Sequence, residues 1–291
     1  MKHMATRRIS IAFLLLAVAF VSSSAAAQTQ RAPQLVVPGG QLEMHELVLK
    51  DGSRLFGRIV SETDQQVVFR TQSGSVITVA RQEIVSLTLV RGRLQRGEFV
   101  RADMHRSRLF FAPTGRSLEK GQVSVGVFQV IAPFIQVGVT DDFSIGGGTP
   151  LIFGIEDFDR PFWITPKYRV IKTEKVQAAV GVLHVFDTTQ GDSAGIGYGV
   201  ATYGSSDNAI TAGAGVAYSG DSRGGMVMIG GERRVSRNIK VITENYIWQD
   251  GGGIISGGFR FIGERLSADL GVARPIGDGW FAPVVNFVYV F

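Results

Sequence analysis

The sequence predicts an all-β protein: an antiparallel transmembrane β-barrel of about twelve strands over 121–291, preceded by a small five-stranded periplasmic β-domain over 43–90. Three observations predict it. From Gln122 onward, short segments of alternating character are separated by turn residues. Beyond residue 27 no apolar run approaches the roughly 20 residues that a spanning helix needs. Glycine is abundant, and 29 of its 37 copies follow Lys120, which suits strands and turns better than helices.

The elements follow in order. Residues 1–27 have the form of a secretory signal: Lys2, Arg7 and Arg8, an apolar run from Ile9 to Val21, then small residues ending at Ala27. Cleavage before Gln28 removes three positive charges and no negative ones, so the formal charge falls from +5 to +2. So weak a balance gives no reason to expect a nucleic-acid partner. The chain has no cysteine, which excludes disulfides, thiolate metal sites and thiol nucleophiles.

Residues 28–42 read as a flexible polar lead. Five strand signals follow at 45–50, 55–60, 66–70, 76–80 and 84–90, with hairpin turns at Asp51-Gly52 and Ser73-Gly74. Residues 91–120 are basic, carry fewer strand signals and read as a connector whose arginines could lie near anionic head groups. The barrel strands are expected near 122–131, 132–140, 143–148, 161–171, 176–186, 194–204, 208–219, 225–235, 239–248, 254–262, 265–275 and 281–291.

Parity sorts the two faces of these strands. In 208–219, Ile210, Ala212, Ala214, Val216 and Tyr218 share one face and Thr211, Gly213 and Gly215 the other. In 265–275, Leu266, Leu270 and Val272 oppose Ser267 and Asp269. Apolar-out, polar-in alternation is expected of a barrel in lipid. Short polar turns (140–142, 172–175, 205–207, 236–238, 263–264) alternate with longer loops such as 149–160 and 187–193, which places the short turns in the periplasm. Aromatics at strand ends, among them Trp163, Tyr246, Trp248 and Trp280, are candidates for the membrane interfaces.

By the same parity Lys167, Arg169, Glu244, Arg260 and Asp269 face the lumen; Glu232 and Arg234 share a face that parity leaves open. Gly195, Gly197, Gly199, Gly213 and Gly215 are expected inward. Mixed signs on opposite walls read either as ion pairs filling the lumen or as a lining for small polar solutes. Three functions stay open: a narrow passive pore or solute-binding barrel, a filled barrel that anchors the small domain, and a lipid-acting enzyme. The last is disfavoured. His184 is the barrel's one histidine, and no recognisable hydrolase motif surrounds it, although Ser193 is near in sequence. The glycine runs 146–148 and 251–253 open no helix and are not phosphate loops. Catalytic, cofactor and metal residues are therefore expected to be absent.

Two resemblances add to this reading. The stretch LVLKDGSRLFGRIVSETDQQVVFRTQSGSVITV resembles Sm-like or SH3-like small barrels, through its DG turn, Gly57 and alternating apolar positions. Sm-like domains often bind RNA, which an exported domain would not meet. The stretches APTGRSLEKGQ, TDDFSIGGG, ITPKYRVIKTEKVQAAVG and ISGGFRFIGERLSADLG resemble Gram-negative outer-membrane β-barrel proteins that carry a small β-domain ahead of the barrel. Phe287, Tyr289 and the terminal Phe291, on one face of the last strand, resemble the insertion signal of such barrels. The resemblance implies an outer-membrane location, contact with outer-membrane lipid and with the barrel-assembly machinery, and no activity. A periplasmic protein partner is expected for 43–90.

Overall fold

The computed structural model describes residues 42–95, 98–151, 161–186 and 193–291. The expected signal and nearly all of the lead lie outside these residues. No described helix is long and apolar enough to cross a membrane.

The first sheet is a curled meander of six strands: β1 (Leu42–Leu49), β2 (Arg54–Glu62), β3 (Gln66–Thr71), β4 (Val76–Ala80), β5 (Ile84–Gln95) and β6 (Glu98–Arg101). Their order is β4-β3-β2-β1-β5-β6. Asp51-Gly52 makes the expected turn, with Gly52 at φ 84° and the Asp51 carboxylate accepting from the Ser53 amide at 2.8 Å. Met44, Leu47, Val67, Phe69 and Val90 are buried, and Phe56 stacks on Phe99 at 4.5 Å. The sheet therefore has one strand more than expected. β5 runs on to Gln95 and pairs with β6, so part of the expected connector is sheet.

The second sheet closes on itself. Its strands are β7 (Val123–Phe128), β8 (Ala132–Gly138), β9 (Phe143–Gly148), β10 (Phe162–Ile164), β11 (Lys167–Lys172), β12 (Val176–Phe186) and β13 (Ser193–Gly204), then β14 (Asn208–Ser219), β15 (Ser222–Ser236), β16 (Ile239–Trp248), β17 (Gly253–Ile262), β18 (Leu266–Pro275) and β19 (Ala282–Val290). All neighbours are antiparallel. β10 and β11 both lie between β9 and β12, so they are one wall strand interrupted at Thr165-Pro166. Proline cannot donate to a ladder, which accounts for the break. The wall thus has twelve strands, and β19 closes it by pairing Asn286–Val290 with Ser124–Phe128 of β7. Closure gives every strand two partners, the condition for crossing lipid.

The alternation read from sequence is the alternation of the wall. Ile210, Val216, Ile255, Phe259, Leu270 and Val272 are exposed on the outside. Thr211, Ser267, Asp269 and Arg260 are buried inside. Gly195, Gly197 and Gly199 correct one expectation. On β13 Val200 and Thr202 are buried on the lumen side, and Gly195, although buried, is paired with His184 and Tyr218 of the outer face, so these three odd-numbered glycines point outward. Glycine carries no side chain by which to judge polarity, and parity had to come from its neighbours.

Candidate ligand site in the barrel lumen

The lumen is not empty. Residues 102–120, the remainder of the expected connector, fold into the barrel as an irregular plug. Leu109 and Phe110 are wholly buried and join Ala112 in a cluster with Ala179, Val200, Met228, Ile242 and Val284 of the wall. Burial of two such side chains contributes about 1.5–3 kcal/mol each. Two glycines permit the close fit. A Cβ on Gly230 would lie 2.6 Å from the Leu109 side chain, and one on Gly115 would lie 2.0 Å from the Gln177 carbonyl oxygen.

Charges anchor the plug in the half of the barrel that ends in short turns. Arg260 is fully buried and binds Asp269 twice, at 2.7 and 3.1 Å. It also donates to the plug carbonyls of His105 (3.1 Å), Arg108 (3.3 Å) and Leu109 (2.6 Å). Arg108 of the plug reaches Asp269 at 3.0 Å. Lys240 lies between Asp103 of the plug (2.6 Å) and Glu232 of the wall (2.7 Å), and Arg116 pairs with the same Glu232. Each of these buried charges thus meets an opposite one, as burial requires.

The five charges read as lumen-lining fall as follows. Arg260 and Asp269 form the pair just described. Lys167 donates to the plug carbonyls of Ser107 (3.0 Å), Thr114 (3.4 Å) and Arg116 (2.6 Å). Glu244 accepts from the amides of Phe111 and Ala112, both at 3.0 Å, and from the Tyr246 hydroxyl at 2.8 Å. Arg169 sits at the turn end against Asp142 at 2.7 Å. These side chains grip a plug or a neighbouring turn, and do not stand free in a channel. Sequence reading missed Asp103, Arg108, Arg116, Lys240 and Asn286. Lys240 was within reach, because it shares parity with Glu244. The plug residues gave no signal, since an irregular segment has no period.

Beyond the plug, toward the other end, the lumen becomes apolar. A cavity of about 150 Å³ is bounded on one side by Phe111, Ala112 and Pro113 of the plug. Its walls come from Leu183, Ile196, Tyr198 and Val200, with Met226, Met228 and Tyr246 opposite. Apolar cavities of about this volume hold molecules of benzene size. The chemistry on offer is burial, with two tyrosine rings, and the charged groups are turned toward the plug.

His184 lies on the outside of the wall, where its Nδ1 meets the Tyr218 hydroxyl at 2.6 Å and its ring packs edge-on against Phe186. That partner is neither the serine nor the asparagine that an outer-wall hydrolase would need. Phe287, Tyr289 and Phe291 also face outward, the last two in edge contact at 4.8 Å. Among the described residues no group of His, Asp or Glu has metal-ligating geometry.

No protein-family model and no curated protein matches the chain. Among solved structures it is similar to KdgM porin, with 6% identity over 58% of this chain and 98% of that one, at a TM-score of 0.46. It is also similar to OmpTΔL8, an outer-membrane protein of Vibrio cholerae (11% identity; 87% and 97% covered; TM-score 0.34). A third is Pseudomonas putida OprB (9% identity; 87% and 93% covered; TM-score 0.32). These neighbours are outer-membrane barrels, and none is similar enough to lend this chain a solute.

Proposed function

We propose that this protein is an outer-membrane barrel that takes a small apolar solute into a lumenal pocket above an internal plug, without chemistry on the solute. The single observation that carries this reading is the apolar cavity bounded by Phe111–Pro113. The location rests on the signal-like start and on the apolar outer face of a closed wall. The short turns and the six-stranded sheet would then face the periplasm. There the sheet, as a small Sm-like or SH3-like module, has a protein partner as its expected contact.

A second reading is a filled barrel that only anchors the sheet. The density of plug contacts favours it: Arg101, where the sheet passes into the plug, bonds Glu46 at 3.5 Å and Glu264 at 3.1 Å, and its carbonyl accepts from Arg234 at 3.0 Å.

One experiment separates these readings from a polar pore. The protein is placed in lipid nanodiscs and its thermal unfolding followed with and without p-xylene, in wild type and in Met226→Trp, whose indole fills the cavity. A ligand at a hundred times its Kd stabilises the folded state by about 2.7 kcal/mol. The expected result is a shift in wild type that Met226→Trp abolishes while its barrel remains folded. An equal shift in both, or none, leaves only the anchor. Steady single-channel conductance of wild type, altered by Lys167→Glu, would overturn both in favour of a polar pore.

A further inference from the structure

We propose that the solute enters this pocket sideways, from the membrane, through a notch at the closing seam that the side chain of Gln129 latches; this rests on the apolar-solute reading above.

The wall is uneven at its seam. β19 pairs with β7 only from Asn286 to Val290, whereas on its other side it pairs with β18 as far as Ala282. Among the described residues, the four residues Ala282–Val285 have no strand on the β7 side. At about 3.3 Å per residue this leaves a step of roughly 13 Å. The β7–β8 hairpin turns just below it, at Gln129 and Val130.

Gln129 stands in for the missing strand. Its Oε1 accepts from the Val285 amide at 2.9 Å, and its Nε2 donates to the Pro283 carbonyl at 2.9 Å. Its own amide donates to Asn286 Oδ1 at 3.2 Å. One side-chain amide therefore satisfies two edge groups that a lipid-facing wall cannot leave bare. Pro283 has no N–H to satisfy, which suits it to this edge. A side chain can release these groups and take them up again by rotating, which a paired strand cannot.

The turn itself is strained. Gln129 has φ 51° and Val130 φ 65°, in the left-handed region. A β-branched residue is an outlier there, and Asn-Gly would satisfy such a two-residue turn without cost. Strain of this kind persists where a site needs a particular residue or a second conformation.

An apolar path joins the notch to the pocket. Phe111 of the pocket lies 5.5 Å from the Phe128 ring, at the foot of the notch, and Phe128 stacks on Phe134 at 4.1 Å. Val284, beside the notch, belongs to the same buried cluster as Val200 and Met228 of the pocket. Among the described residues the one charge along it, Arg108, lies over the Phe128 ring at 5.3 Å and is held by Asp269. Such a path fits an uncharged hydrocarbon or aryl molecule dissolved in the bilayer.

The test uses the full protein in nanodiscs loaded with 3-trifluoromethyl-3-phenyldiazirine, photolysed and mapped by mass spectrometry. Val127 and Phe287 are opposed across the seam and both face outward. Opposed Cα atoms lie about 4.5–5.5 Å apart, within disulfide reach. Because the chain has no other cysteine, Val127→Cys with Phe287→Cys pins the hairpin reversibly. The expected result is label on Met226 or Met228 and on Phe128 or Val284. Pocket label should fall several-fold when the disulfide forms and recover on reduction, and Gln129→Ala should speed it. Pocket label that ignores both the disulfide and Gln129→Ala would overturn the lateral route and leave the pocket standing. Absence of pocket label in every form would overturn the pocket and the route together.

Discussion

Arg260 shows what a buried charge does in this wall. It binds Asp269 at two oxygens and three plug carbonyls besides, and no part of it reaches solvent. Removing it leaves Asp269 with Arg108 alone and takes a donor from three carbonyls, of which those of Leu109 and His105 still accept from Arg108 at 3.1 and 3.4 Å. Removing one partner of a buried pair typically costs about 3–5 kcal/mol. Arg260→Ala is therefore expected to lower the unfolding free energy by that amount, read as a fall in the urea midpoint of the nanodisc-embedded protein; a midpoint unchanged within error would mean that the pair is not formed. The inward direction of Arg260, Lys167, Glu244 and Asp269 was legible from parity, because a strand alternates with period two. Their partners were not. Arg108 and Asp269 are 161 residues apart, and no local pattern links them.

At the scale of the element, the plug is the piece that fills the lumen. Its sequence, ADMHRSRLFFAPTGRSLEK, is basic and aperiodic, which read as part of a connector with arginines near lipid head groups. The physical reason for the difference lies in the wall. Asp269, Glu232 and Glu244 point inward and need cations or amides, and Arg108, Arg116 and the amides of Phe111 and Ala112 supply them. Neither set is stable in a lumen alone. Replacing 104–117 with a Gly/Ser linker of equal length should leave the wall ladder paired and open a steady, cation-dependent conductance in planar bilayers. Silence of that variant, with its barrel folded, would show that another segment fills the lumen. The break at Pro166 and the short β7–β8 hairpin are likewise element-scale features. The first was missed, because 161–171 read as one unbroken strand despite its proline, and the second depends on where β19 begins.

The whole molecule combines two stabilities of different kind. The wall is a continuous ladder that lipid protects, and the plug is held by buried ion pairs and a small apolar cluster. Buried pairs are screened little by salt, whereas urea solvates the peptide and apolar groups of the plug. Conductance is therefore expected to stay absent as salt rises, and to appear reversibly at urea concentrations that leave the barrel heat-modifiable. Loss of both properties at one urea concentration would mean that plug and wall unfold as a unit. By itself the sequence determined the all-β class, the twelve wall strands and the facing of most side chains, because alternation and turn residues are local and a closed wall repeats them. Only the tertiary structure decided that the lumen is filled, that its open part is apolar and that one glutamine side chain bonds across the seam. Those features arise from side chains brought together across the barrel by closure, and distance in sequence hides them.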